Sequence, residues 1–214
     1  MDEGKFIVLE GIDGAGTSTQ GPLLVKYLFD KLKKNVPVLT REPTQLSPYG
    51  KELRRRLNGS LLPGEEIIND PDYWAGLFIK DRQWHHDNLI VPSLRLGLQV
   101  ISDRYKHSTI AYQSAQGKDI DELIELHQEM RIPDLTIFLD TPVEKAQQRM
   151  GKDSQRTQEY FEALTFQEKV REKYLLTLQK LSSSEKIVVI DGSQSIEVIA
   201  KEIQQEVNEL YGYQ

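Results

Sequence analysis

Short runs of β-branched and aliphatic residues recur along the chain, separated by longer stretches in which apolar positions return every three or four residues. The runs cover Phe6 to Glu10, Val36 to Thr40, Gln99 to Ser102, Leu135 to Asp140 and Ile187 to Asp191, and they predict five strands. Their apolar character is nearly continuous rather than alternating, as in parallel strands covered on both faces, and each gap has room for a crossover helix. The expected fold class is α/β, a doubly wound five-stranded parallel sheet with flanking helices.

Leu23, Leu24, Tyr27, Leu28 and Leu32 mark the apolar face of one helix. Asp70-Pro71-Asp72 reads as a helix start, and Tyr73 to Leu96 as one or two longer helices kinked or broken at Pro92. Ile196, Ile199, Ile203, Val207 and Leu210 form a last amphipathic helix, with Ser195 as its N-cap, that should close the sheet. Gly151 to Gln158 (GKDSQRTQ) is polar and charged without apolar period. It reads as a mobile lid over about residues 149–160 of a single domain spanning 1–214.

A formal net charge of -6 argues against a general nucleic-acid binder, which needs a basic surplus to neutralise backbone phosphates, so any anion site must be local. With no cysteine, disulfides and thiolate metal sites are excluded. The start, MDEGKFIVLEG, has neither the cationic residues nor the apolar core of a secretory signal, and no run approaches the roughly 20 apolar residues of a membrane span. A cytoplasmic protein without a membrane partner is expected.

The first strand runs into Gly11-Ile12-Asp13-Gly14-Ala15-Gly16-Thr17-Ser18-Thr19 and then into a helical pattern, which is the spacing and context of a phosphate-binding P-loop. Glycines let backbone N–H groups turn inward around phosphate oxygens, and the helix N-terminus adds its positive end. Ser18 falls where the motif's hydroxyl ligates Mg²⁺. The motif's lysine, however, is replaced by Thr17, which is neutral and too short to reach a β or γ phosphate. A tight strand-to-helix turn with no ligand is the competing reading of this segment alone.

Several segments together resemble bacterial and archaeal thymidylate kinases in order and spacing, over nearly the whole chain. They are the phosphate loop, Thr40-Arg41-Glu42-Pro43, Leu77 to Arg82, Asp103-Arg104-Tyr105, Ser108 to Gln113, Pro133-Asp134-Leu135 with Phe138-Leu139-Asp140, and Phe166 to Tyr174. The resemblance implies a P-loop kinase that moves the γ-phosphoryl group of ATP onto dTMP with Mg²⁺, commonly as a homodimer. It implies ATP binding by Gly11, Gly14, Ala15, Gly16, Thr17, Ser18 and Thr19, and a metal held by Ser18 with Asp103 near it through water. Arg41 and Arg104 would hold the acceptor phosphate, which suits a planar fork of donors. Phe78 would stack on thymine and Arg82 would bond a pyrimidine carbonyl; their spacing of four places them on one helix face. Asp13 would contact the sugar hydroxyl and phosphate-side groups of the acceptor.

By the same resemblance Tyr105, Ser108, Thr109, Tyr112 and Gln113 would wall the nucleoside, a tyrosine under the sugar excluding a 2'-hydroxyl. The family places a catalytic arginine in the lid when the Ala15 position is small; Arg156 is the first candidate, Arg149 the second, and Lys152 a third. His85 and His86 diverge by about 100° on a helix, make a poor metal pair, and receive no role. Two other readings stay open. One is a kinase for another deoxypyrimidine monophosphate, and the other a catalytically weak nucleotide-binding homologue, which Thr17 favours and the retained arginines oppose.

Overall fold

The computed structural model describes residues 3–32, 36–66, 68, 70–151 and 158–213, without the side chains of 158–162. The strands are β1 (Phe6–Glu10), β2 (Pro37–Arg41), β3 (Gln99–Asp103), β4 (Leu135–Asp140) and β5 (Ile187–Asp191). All pairs are parallel, in the order β2-β3-β1-β4-β5. The expected α/β sheet is therefore present. β1 sits at its centre with β3 on one side and β4 on the other; the chain first crosses from β1 to β2 on one side, and later passes from β3 over β1 to β4 on the other. Ligands of open α/β sheets bind at such a switch point, beyond the carboxyl ends of the strands.

Burial separates inner strands from edges. Every residue of β1 and β3 is buried, whereas β2 and β5 expose Leu39 at 42% and Val189 at 53%. The sequence reading of strands covered on both faces holds for the middle of the sheet and not for its rims, where one side lacks a complete helical cover.

The helices are α1 (Thr17–Leu32), α2 (Pro48–Leu57), α3 (Pro71–His85), α4 (Val91–Arg95), α5 (Lys106–Ala115), α6 (Ile120–Glu125), α7 (Val143–Arg149), α8 (Gln158–Leu181) and α9 (Ile196–Tyr211). Alternation along β1 divides the core: Ile7 and Leu9 pack with Leu24 and Leu28 of α1 and Ile199, Ile203 and Val207 of α9, while Phe6 and Val8 pack with Ile90, Leu94 and Tyr105. Ser195 caps α9 by accepting from the Val198 N–H, and Gly212 ends it at φ 68°, a left-handed residue that suits glycine.

Of the kink or break expected at Pro92, no break is present. A π-helical turn over His86–Ile90 joins α3 to α4, and the Val91 N–H reaches back to the His86 carbonyl. The change to i→i+5 bonding takes place just ahead of Pro92, whose ring nitrogen has no N–H to continue the α-helical ladder. The lid expected over about 149–160 falls largely on 152–157, outside the described residues, and Lys152 and Arg156 fall there too. No helix among the described residues is long and apolar enough to cross a membrane.

Candidate active site

The loop from Gly11 to Gly16 is built by residues that tolerate its turns. Gly14 and Gly16 lie at φ 83° and 109°, where side chains other than glycine are strained. The loop closes on itself through Ala15 N–H to the Ile12 carbonyl at 3.0 Å, and the Gly16 carbonyl accepts from Thr19 and Gln20 as α1 begins. A Cβ on Gly14 would stand 2.3 Å from the Ala146 carbonyl oxygen, so α7 backs the loop at van der Waals range. Gly14→Ala should therefore cost about 2–5 kcal/mol, combining the strain of a left-handed non-glycine residue with overpacking. A denaturation midpoint equal to that of the unmodified protein would overturn this.

A cavity of about 560 Å³ opens over the loop, bordered by Asp13, Ser18, Arg41, Asp103, Arg104 and Arg149. Arg41 and Asp103 are register partners at the carboxyl ends of β2 and β3, which is why they arrive together. Three arginines thus meet the N-terminus of α1, an arrangement suited to several phosphate charges. Arg54 of α2 adds a further cation behind Arg41. Its side chain donates to the Pro43 carbonyl, and burial, then repulsion from Arg41, lower its pKa.

Arg104 is the only non-glycine residue at positive φ among those described, at 76°. Its N–H donates to the Leu9 carbonyl at 2.9 Å, and its own carbonyl accepts from Ser102 Oγ at 2.7 Å. The guanidinium donates to Asp13 Oδ1 at 2.6 Å and lies 5.3 Å from the centre of the Tyr112 ring. Asp13, a carboxylate inside an anion-binding loop, is thereby offset by a cation.

Asp103 is 8% exposed, and its Oδ1 has no hydrogen-bond partner among the described residues. A buried carboxylate oxygen without a donor costs free energy unless a cation meets it. Ser18 borders the same cavity, and this hydroxyl–carboxylate pair fits Mg²⁺, which keeps waters and phosphate oxygens in most of its shell.

The other expected site residues divide by burial. Phe78 is half-buried on α3, Tyr112 is half-buried with its ring packed edge-on against Phe166 and Tyr174, and Gln113 is buried on α5. Arg82 does not face the cavity. It is 1% exposed, and its fork serves Glu42 (Nε, 2.8 Å), His127 (2.6 Å), the Tyr105 carbonyl (3.2 Å) and Thr109 (2.8 Å). His127 accepts from Arg82 because its other ring nitrogen donates to the Leu123 carbonyl, and burial followed by the Arg82 charge pushes its pKa down to about 3. Tyr105 is fully buried against Phe6. Arg82, Tyr105 and Thr109 form a sealed layer beneath the site.

Three groups escaped the sequence reading, and a fourth, Arg149, was its second candidate for the lid cation. His85 is buried between Thr40 Oγ1 (2.7 Å) and Glu42 (3.1 Å), tying α3 to the end of β2. Glu10 and Tyr174 hold the Arg104 segment by direct hydrogen bonds. Arg149, exposed at the end of α7, donates to the Ala15 carbonyl at 3.1 Å and to the Gln194 carbonyl at 3.2 Å, which sets its guanidinium on the phosphate loop.

A family model described as thymidylate kinase matches residues 9–203. The chain is 40% identical over 202 residues to a probable thymidylate kinase of Thermococcus kodakarensis, an alignment covering 92% of this chain and 94% of that protein. It is 41% identical over 202 residues to a probable thymidylate kinase of Thermococcus onnurineus, with the same coverage. A bacterial relative, the thymidylate kinase of Carboxydothermus hydrogenoformans, is 36% identical over 205 residues, covering 94% of this chain and 95% of that protein.

Proposed function

We propose, from the premise that the chain belongs to the thymidylate kinase family, that it transfers the γ-phosphoryl group of ATP to dTMP, giving ADP and dTDP. One observation carries the reading: Arg104, in a left-handed turn after β3, borders the same cavity as the phosphate loop, Arg41 and Arg149. A protein that only bound ATP would have no use for two arginines at the strand ends facing the loop.

Backbone N–H groups of the Gly11–Gly16 loop and the N-terminus of α1 receive the donor phosphates, while Met150, Ile196 and Ile199 supply an apolar flank for the donor base. Arg41 and Arg104 bind the acceptor phosphate as paired donor forks. Mg²⁺, held by Ser18 with Asp103 beside it through water, would neutralise charge on the donor oxygens. The acceptor phosphate oxygen bonds to the γ phosphorus as the bond to the β–γ bridging oxygen breaks, and the electron pair leaves on ADP. Little covalent work falls to the protein; positioning and cations do most of it.

Asp13 holds Arg104 and would contact the acceptor sugar, while Phe78 and Tyr112, each half-buried, would offer aromatic faces to the base and deoxyribose. Arg82 could meet a pyrimidine carbonyl only by exchanging one of its four present partners.

Coupled ADP release over a panel of nucleoside monophosphates tests the reading. Values of kcat/KM should be highest for dTMP and far lower for CMP, UMP and AMP. A ribonucleotide preference would overturn it, a preference for another deoxypyrimidine would redirect it within the class, and no turnover of any acceptor would favour the silent binder that Thr17 suggests.

A further inference from the structure

Glu10 is the last residue of β1, fully buried, and the sequence singles it out for nothing. Its carboxylate accepts three hydrogen bonds: Oε1 from the Tyr105 N–H at 2.8 Å, and Oε2 from Ser108 Oγ at 2.6 Å and the Tyr174 hydroxyl at 3.0 Å. All three converge on Arg104. The Tyr105 N–H fixes the backbone just after the left-handed residue, and the two hydroxyl oxygens accept from Arg104 Nη1, each at 3.2 Å. The hydroxyls therefore relay the carboxylate to the guanidinium.

A buried carboxylate needs a counter-charge. His107, fully buried on α5, places Nδ1 3.5 Å from Glu10 Oε1 and donates from Nε2 to Glu185 Oε2 at 2.8 Å. Lys106 closes the group at 2.6 Å from Glu185 Oε1. With His107 protonated, the four groups sum to a formal charge of zero under the Arg104 turn; Nδ1 makes no hydrogen bond, so its hold on Glu10 is electrostatic. We propose that Glu10 is the positioning residue for Arg104, and that His107, wedged between Glu10 and Glu185, is the cation that keeps it in that role.

The chemistry of the replacement supports this. A glutamine at position 10 has one accepting oxygen, which the Tyr105 N–H requires, and turns an NH₂ toward two hydroxyls that already accept from Arg104, so the relay from carboxylate to guanidinium is lost. Arg104 would keep its charge and lose its aim. The inference rests on the reading of Arg104 as the acceptor-phosphate arginine.

The test is steady-state kinetics on the full chain, with separate KM values for dTMP and ATP. Glu10→Gln should raise the acceptor KM about tenfold or more and leave the donor KM within about twofold, because only the acceptor arginine is released. Tyr174→Phe keeps the carboxylate and removes one relay hydroxyl, so it should move the acceptor KM the same way by a smaller factor. It also decides the matter if Glu10→Gln fails to fold. The pH profile separates positioning from packing. Burial works against the His107 cation, but Glu10 and Glu185 outweigh it and raise its pKa. Lys106 lies on Glu185, Ser108 and Tyr174 lie on Glu10 with Arg104 behind them, and His127 feels the His107 charge. The cation is present below that raised value and lost as pH climbs through it, so acceptor kcat/KM should fall on the alkaline side. His107→Gln should flatten that limb at a lower plateau. An unchanged acceptor KM in a folded Glu10→Gln variant, equal rises in both KM values, or an alkaline limb that survives His107→Gln would overturn the proposal. Arg104→Ala with unchanged acceptor KM would instead remove its premise, and the proposal with it.

Discussion

Arg104→Ala should weaken the acceptor by about 10- to 150-fold while leaving ATP affinity nearly intact, since a charge-assisted fork to phosphate contributes about 1.5–3 kcal/mol. Isothermal calorimetry with each nucleotide reads the two affinities separately, and equal losses of both would show that the arginine only holds the loop. The backbone offers a second check. Arg104 sits at φ 76°, where a Cβ crowds the following carbonyl at a cost of about 1–2 kcal/mol. Arg104→Gly removes the same guanidinium and relieves that crowding. It should therefore match Arg104→Ala in acceptor affinity and exceed it in stability by about 1 kcal/mol. A variant with glycine that is less stable than the one with alanine would mean that the turn carries no strain. The pairing matters because strain held at a strand end by Leu9, Ser102 and Glu10 is what one expects where a side chain must be aimed rather than merely packed.

Strand positions were legible in the sequence because buried parallel strands show as short unbroken apolar runs, and β1, β4 and β5 occupy the spans read from it. The cap at Ser195 and the turn at Gly14 were legible for local reasons, a hydroxyl before an amphipathic run and a glycine between strand and helix. Arg41 and Arg104 were legible because each follows or ends a strand, and strand ends share one edge in a parallel sheet. What escaped depends on distant pairing. Glu10 and Tyr174 are 164 positions apart, and His107 and Glu185 are 78 apart, so no window along the chain brings them together. The resemblance assigned Arg82 to a pyrimidine carbonyl, yet burial against Glu42 and a neutral His127 gives it four partners within the protein. The π-helical turn ahead of Pro92 likewise arises from packing of Ile90 and Leu94 under β1 and β3, a tertiary demand that overrides the local preference for a break.

The charge that a loop lysine would supply is expected from the other side of the loop, and this sets the largest expected effect on turnover. Thr17 lies 8% exposed at the start of α1 and has no charge to place on a phosphate. Arg149 sits across from it, with Nη1 on the Ala15 carbonyl and 3.9 Å from where a Gly16 Cβ would stand. The sequence ranked Arg156 ahead of it for the lid role, but Arg156 lies outside the described residues, whereas α7 carries Arg149 directly onto the loop. A cation there can meet the developing charge that a loop lysine ordinarily meets, and removing such a group typically costs about 10²–10³ in rate. Arg149→Ala should therefore lower kcat by about that factor with little change in acceptor KM. Thr17→Lys restores a charge from within the loop, so in the Arg149→Ala background it should recover at least about tenfold, although in the unmodified protein it should add little. The double-mutant cycle reads the coupling directly. If the two changes combine additively, the arginine and the Thr17 position do not share a task, and the charge that replaces the lysine has to come from elsewhere, with Arg156→Ala as the next variant to measure.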